Sequence, residues 1–197
     1  LGIFYFYVSQ KSVPVGCEGP RDTITVTIYN LPPAPVIVSP VNYCKGATAS
    51  PLSATELSGN SLRWYTSSTG GSFSSTSPTP STISVGSTKY YVSQANISQG
   101  CEGPRDSITV VVYPLPASPT IISPVNYCKG DSASALTAST SGGNSLLWFT
   151  SSTGGTGNPV PPVPATSTVG SVKYYVAQVS NPQGCIGSRD SITVNHL

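Results

Sequence analysis

Five cysteines carry most of the chemistry open to this chain, and their spacing is periodic. Cys17, Cys101 and Cys185 follow one another at intervals of 84 residues, and Cys44 and Cys128 are also 84 apart. Cys44 and Cys101 are separated by 57, as are Cys128 and Cys185, so pairing within each unit uses four cysteines and leaves Cys17 alone. A rival pairing, Cys17–Cys44 and Cys101–Cys128, spans 27 residues and would link neighbouring units. Spacing alone does not decide connectivity. We favour Cys44–Cys101 and Cys128–Cys185, because a small domain with a thin core needs a staple of its own. Closing such a loop contributes about 4 kcal/mol in the chain-entropy model. A zinc site is the weaker alternative, with no Cys-x-x-Cys spacing and only one histidine, His196. Paired cysteines point to an oxidising, extracellular setting.

The remaining reactive residues do not assemble a catalytic set. His196 stands where the other copies have Ile28 and Val112; Glu18 and Glu102 give way to Ile186, and Glu56 to Thr140. A carboxylate pair with separately tuned acidities is therefore not repeated, and Ser and Thr without a base belong to turns and surfaces. Acidic residues are too sparse for converging calcium ligands. The expectation is a non-enzyme with no cofactor and no metal. Net charge is +2, with Lys and Arg placed singly from Lys11 to Arg189, so no basic patch addresses nucleic acid. No apolar run is long enough for membrane insertion, and no signal peptide is visible.

The cysteine period belongs to the whole sequence. Ser39-Pro-Val-Asn-Tyr-Cys-Lys-Gly46 returns letter for letter at 123–130, Trp64 maps onto Trp148, and Tyr90-Tyr91-Val92 onto Tyr174-Tyr175-Val176. Gly-Pro-Arg-Asp at 19–22 returns at 103–106 and, as Gly-Ser-Arg-Asp, at 187–190. No insertion or deletion is needed to align the copies, which is the mark of a repeat architecture. Residues 1–31 match only the end of a repeat, and complete repeats occupy 32–115 and 116–197. The absent front of the first copy, with no Met in the chain, leads to the expectation that the natural chain continues upstream.

Within each repeat the hydrophobic period is two. Ile108, Val110 and Val112 alternate with Ser107, Thr109 and Val111, as a half-buried strand requires. Ile24, Val26 and Ile28, and then Ile192 and Val194, are their counterparts. Leu62 and Trp64, and Tyr90 and Val92, form two more alternating runs, and turn-rich Ser/Thr/Gly/Pro segments such as 67–71 and 77–81 separate them. Short strands with turn signals in an 84-residue unit predict an all-β fold of tandem immunoglobulin-like β-sandwich domains in an extended array. Trp64 and Trp148 take the place of the strand C tryptophan, with Tyr90 and Tyr174 at the tyrosine corner of strand F. All four are expected in the cores. Val92 stands where antibody domains put a cysteine, so their inter-sheet disulfide is absent.

The run Tyr-Cys-Lys-Gly, Ser-Leu-x-Trp-Tyr/Phe-Thr-Ser-Ser-Thr-Gly-Gly, Tyr-Tyr-Val-Ser-Gln and Gly-Cys-Glu-Gly-Pro-Arg-Asp-Ser-Ile-Thr-Val resembles the Ig-like repeats of very large Bacteroidota surface proteins. Gliding-motility adhesins and secreted multidomain polysaccharide-degrading proteins carry similar repeats. The resemblance implies export by the type IX secretion route and display at the cell surface. Copy three departs from it at Ile186, where Glu is expected, and at Ala177, where Ser is usual. Copy one departs at Ile3-Phe4-Tyr5-Phe6, opposite Ser87-Thr88-Lys89-Tyr90. The resemblance also makes Thr23, Ser107, Ser132 and Ser191 candidates for O-glycosylation, since each follows an Asp and precedes an apolar residue; the competing reading is a polar strand start.

Two function classes follow. The first is a stalk or filament segment of a cell-surface adhesin, whose partners are neighbouring repeats of the same chain and surface polysaccharide or other surface proteins. The Pro-rich joints 30–35 and 114–119 support it, because proline fixes φ and favours extended, semi-rigid spacers. Pro40 and Pro124 near the repeat starts discourage edge pairing. The second is a carbohydrate-contacting module in which Tyr65 or Phe149 offers a stacking platform; partial burial under the adjacent loop is the plainer reading of both. Arg105-Asp106 is expected to be a strand-start pair that fixes a loop.

Overall fold

The computed structural model describes all 197 residues and contains strands and turns but no helix. Residues 1–31 form a hairpin of β1 (Gly2–Val8) and β2 (Asp22–Ile28), antiparallel with Gly2 opposite Ile28 and Val8 opposite Asp22. Six strands follow: β3 (Val36–Ile37), β4 (Val41–Cys44), β5 (Ala54–Thr55), β6 (Asn60–Tyr65), β7 (Gly86–Asn96) and β8 (Asp106–Tyr113). The last six repeat them: β9 (Thr120–Ile121), β10 (Val125–Tyr127), β11 (Ala138–Ser139), β12 (Ser145–Phe149), β13 (Gly170–Val179) and β14 (Asp190–His196).

Each repeat folds into a four-stranded sheet facing a two-stranded one. The orders are β4-β8-β7-β6 with β3-β5, and β10-β14-β13-β12 with β11-β9. The long sheet has the strand order of the G-F-C face of an immunoglobulin sandwich, with a short first strand added to G. That added strand runs parallel in the second repeat, with Val125 opposite Val194 and Tyr127 opposite His196. The chain crosses from the short sheet to the long one at Ser39–Pro40 and Ser123–Pro124, both cis peptides. Two compact units result: Leu1–Val41 with Ser50–Pro80 and Thr88–Val110, and Asn42–Ala49 with Ser81–Ser87 and Val111–Leu197.

Period-two sequence becomes burial on one face. On β8, Ile108, Val110 and Val112 are buried while Ser107, Thr109 and Val111 are not. On β14 the buried set is Ile192, Val194 and His196. Trp64 and Trp148 are both 4% exposed, and each sits directly across the ladder from a fully buried valine, Val92 or Val176. In the second repeat Leu136, Trp148, Val176, Ile192 and Val194 form the core, with Tyr127 and Tyr174 packed at its margin. Tyr90 is likewise half-buried. On β2 the matching residues Ile24, Val26 and Ile28 are 53%, 40% and 50% exposed, because a two-stranded hairpin has no facing sheet.

Candidate functional site

The side chains with the most convergent chemistry surround Glu102, in the turn between β7 and β8. Its carboxylate accepts hydrogen bonds from Arg63 Nη1 (2.7 Å), Ser93 Oγ (2.5 Å) and the Tyr65 hydroxyl. Strand geometry brings them together: Arg63 and Tyr65 share one face of β6, and Arg63 lies opposite Ser93 on β7. Burial raises the Glu102 carboxyl, the largest single influence, but the hydrogen bonds from Ser93, Tyr65 and Arg63 and the Arg63 charge outweigh it. The carboxyl is held below its ordinary value. It is an ionised anchor, the wrong state for a general acid at neutral pH.

Tyr65 is closed off as well. The Arg105 guanidinium carbon lies 3.2 Å from the Tyr65 ring centroid, and its Nη1 donates to the carbonyls of Ser67 (2.8 Å) and Gly70 (2.9 Å). In the second repeat Arg189 lies 3.4 Å from the Phe149 centroid and donates to Ser151 and Gly154. Tyr65 and Phe149 are 6% and 5% exposed, so neither is a stacking platform for sugar, and burial, the plainer reading of both, is what the structure gives. An arginine occupies the ring face that a sugar would need. Arg105 fixes the 67–70 turn, while Asp106 Oδ1 accepts from the backbone of Ser107 at the strand start. Arg105 and Asp106 thus act on separate segments and not as a pair.

The second repeat replaces this cluster as a set. Arg63, Tyr65, Phe73, Ser93 and Glu102 become Leu147, Phe149, Gly157, Ala177 and Ile186. The departures at Ala177 and Ile186 thus fall on two members of one hydrogen-bonded set. Ser93 and Ala177 are both completely buried, and a buried serine hydroxyl with no carboxylate to receive it costs free energy, whereas alanine does not. Gly157 is required by the same exchange: a Cβ there would lie 2.8 Å from Phe149 Cζ and 2.9 Å from Leu147 Cβ. Sequence reading missed the cluster because its members lie up to 39 residues apart. Its signal was the co-occurrence of the two departures.

Beside the cluster, Phe73 is 51% exposed, with Arg63 lying 4.5 Å from its centroid. It borders a cleft of about 400 Å³ lined by Thr66, Ser72, Ser74, Thr76 and Tyr90. Among the glycosylation candidates, Thr23 and Ser132 are exposed and Ser107 and Ser191 half-buried. Thr23, like Ser107 and Ser191, follows an aspartate that caps its own backbone N–H. His196 is buried on β14, and its Nε2 has no hydrogen-bond partner.

The cysteines correct both pairings considered above. Cys44 is bonded to Cys185 across 141 residues, and Cys17, Cys101 and Cys128 are free thiols. Strand length is the physical reason that Cys44 does not meet Cys101. Lys45 N–H donates to the carbonyl of Tyr113, placing Cys44 at the far end of β8, whereas Cys101 lies in the turn that precedes Asp106. The eight residues of β8 separate them by roughly 25 Å at about 3.3 Å per residue, far beyond the roughly 7 Å within which two Cα atoms can be bridged. Cys128 and Cys185 are held apart by β14 in the same way. Both ends of the observed bridge lie in the second compact unit.

The Pro-rich joints are held by their own repeats. Gln94, completely buried, donates from Nε2 to the carbonyl of Pro33 (2.9 Å) and accepts at Oε1 from Leu57 N–H and Asn60 Nδ2. Gln178 does the same with Ser118, Ser141 and Asn144. Gly103 and Gly187 pass so close beneath that a Cβ would stand 2.0 Å from the Pro32 carbonyl oxygen and 2.3 Å from that of Pro116.

A family model described as Ig-like domain, CHU_C associated, matches residues 32–114 and again 116–196. Among curated proteins none matches. Solved structures with similar folds include the fibronectin(III)-like modules of CbhA from Clostridium thermocellum, at 19% identity over 81% of this chain and 90% of that one, with a TM-score of 0.47. SGBP-B of the Bacteroides ovatus mixed-linkage glucan utilization locus, in complex with a mixed-linkage heptasaccharide, is similar at 15% identity. That match covers 84% of this chain and 48% of the other, with a TM-score of 0.28. The Ig1-2 module of the Drosophila receptor tyrosine phosphatase DLAR is similar at 11% identity over 83% and 96%, with a TM-score of 0.29.

Proposed function

Because the chain belongs to the family of CHU_C-associated Ig-like domains, we propose that it is a structural and adhesive repeat segment, a stalk or filament, of a large secreted cell-surface protein of the gliding-motility adhesin kind. The observation that carries this reading is the treatment of the joints. Each repeat spends a completely or almost completely buried glutamine and a glycine on holding its own entry segment, by contacts that recur from one repeat to the next. A flexible linker needs neither. The convergent residues support the same reading, since Glu102 is consumed by internal hydrogen bonds and the Tyr65 and Phe149 faces by arginines. The segment acts outside the cell without catalysing a reaction, and its one disulfide suits that oxidising setting.

Small-angle scattering tests the spacer role. Replacing 31–35 by a Gly-Ser segment should broaden the distance distribution of the chain, as expected when a held joint becomes a flexible coil. An unchanged distribution would remove the reading. A second reading rests on Phe73, whose exposed ring beside a hydroxyl-lined cleft suits a carbohydrate-contacting module. A glycan array separates the two: the spacer binds nothing, whereas binding abolished by Phe73→Ala would favour the module.

A further inference from the structure

The observed bridge joins non-equivalent cysteines, and each has a free counterpart 84 residues away. Cys44 corresponds to Cys128, and Cys185 corresponds to Cys101 and Cys17. A bridge built this way recurs along an array only if each strand-end cysteine takes the turn cysteine of the repeat that follows.

The backbone already holds the free counterparts in the bonded form. Around Cys44, Lys45 N–H donates to Tyr113, Gly46 N–H to Thr82 and Ala47 N–H to the Cys44 carbonyl, at 2.8, 2.9 and 3.0 Å. Around Cys128, Lys129 N–H donates to Leu197, Gly130 N–H to Thr166 and Asp131 N–H to the Cys128 carbonyl, at 2.9, 3.0 and 3.1 Å. Each of these partners is displaced by the same 84 positions. The turn cysteines share a frame too. Ser180 N–H donates to the Cys185 carbonyl, Asn96 N–H to that of Cys101 and Ser12 N–H to that of Cys17, each at 2.9 Å. A glycine at positive φ precedes the cysteine in all three. Free and bonded cysteines thus occupy the same local structures and differ in whether a partner is at hand. Cys128 is exposed and Cys101 half-buried, so both thiols remain open to reaction.

We propose that Cys44–Cys185 is one link of a staggered series of disulfides. Cys128 is the open half that receives the turn cysteine of a following Ig-like repeat, and Cys101 the open half that receives the strand-end cysteine of a preceding one. The partner is a further repeat of this kind. Formation is a two-electron oxidation by a disulfide oxidant such as oxidised glutathione. One cysteine thiolate displaces a glutathione thiol to give a mixed disulfide; the second displaces the other, and two reduced glutathiones leave. The result is a covalent track that passes from repeat to repeat, which no bridge confined to a single repeat would supply.

The test appends a further copy of residues 114–197 directly after Leu197, so that its turn cysteine falls in the register of a following repeat. The chain and its extended form are oxidised in a glutathione buffer, alkylated and mapped without reduction. In the chain as it stands, Cys17, Cys101 and Cys128 should be alkylated and a Cys44–Cys185 crosslinked peptide recovered. In the extended chain, alkylation of Cys128 should be lost and a crosslink to the appended turn cysteine should appear, with Cys101 still alkylated. The Cys44–Cys185 peptide in the same digest shows that the repeats have folded. Its absence from the unextended chain overturns the proposal. So does a Cys128 that stays alkylated in the extended chain, or one joined to Cys101 or Cys185. As a second variant, Cys128→Ser in the extended chain should leave the appended turn cysteine alkylated; its transfer to Cys101 would also overturn the series.

Discussion

Gln94 donates a hydrogen bond to the carbonyl of Pro33, 61 residues earlier in the chain, and thereby fastens the entry segment of its repeat to the C-terminal part of strand β7. The same side chain accepts from Leu57 N–H at 2.7 Å, so one buried amide serves both a backbone donor and a backbone acceptor. Replacing it by alanine leaves both backbone groups without partners. We expect Gln94→Ala to destabilise the protein by about 1–3 kcal/mol, read by urea denaturation. A loss no larger than that of an exposed substitution would show that Gln94 is not the clamp.

Gly19, Gly103 and Gly187 occupy the same place in the three copies but not the same surroundings. A Cβ on Gly103 or Gly187 collides with a joint carbonyl, whereas on Gly19 the nearest atom is Gln10 O at 3.6 Å, an ordinary contact. Gly103→Ala and Gly187→Ala should each cost about 1–3 kcal/mol, the range for overpacking. Gly19→Ala should cost nothing measurable. Equal effects at all three would contradict the close approach of the joint.

The Glu102 cluster should behave as a unit. Glu102→Ile alone strands Ser93, Tyr65 and Arg63, and we expect a loss of about 1–3 kcal/mol. Introducing Arg63→Leu, Tyr65→Phe, Phe73→Gly and Ser93→Ala together with it reproduces the set found in the second repeat and should restore most of that loss. Non-additivity of this kind is what residues sharing one network show, and additive losses would refute it.

The depressed acidity of Glu102 also makes a pH prediction. A carboxyl whose folded pKa lies below its unfolded value of about 4.3 contributes stability above that value. The contribution disappears as the pH falls through the lower, folded value. The gap in urea midpoint between the native protein and Glu102→Gln should therefore be widest near neutrality and close in acid. A gap independent of pH would rule out the ionised anchor.

Trp64 and Trp148 should each cost about 3–5 kcal/mol on replacement by alanine, since each is buried across the ladder from a valine with no exposed surface. Hydrogen exchange along β7 or β13 should report the loss in the repeat that carries the change. Retained protection there would remove the tryptophan from the core.

Several of these features were legible in the amino-acid order. The period of two that marks Ile108, Val110 and Val112 is a local property, and each alternate residue faces inward in the folded strand. The letter-for-letter return of residues 39–46 at 123–130, a shift of 84, marked tandem units, and the period-two alternation within each marked them as β-structured. Trp64 and Val92 could be placed on neighbouring strands because the order of landmarks in an Ig sandwich is itself sequential. The aromatic site was not legible. Tyr65 reads as an outward residue of a short strand, and only folding brings Arg105, 40 positions later, onto its face.

The cysteines mark the same boundary. Recurrence by itself determined that Cys44 and Cys101 are repeated elements and left open which rule their pairing follows. Which rule depended on where β8 begins and ends: one cysteine precedes the strand, the other stands beside its far end, and a strand of eight residues does not bend to bring them together. Spacing along the chain measures contour and not distance, so only the tertiary structure could pair Cys44 with Cys185.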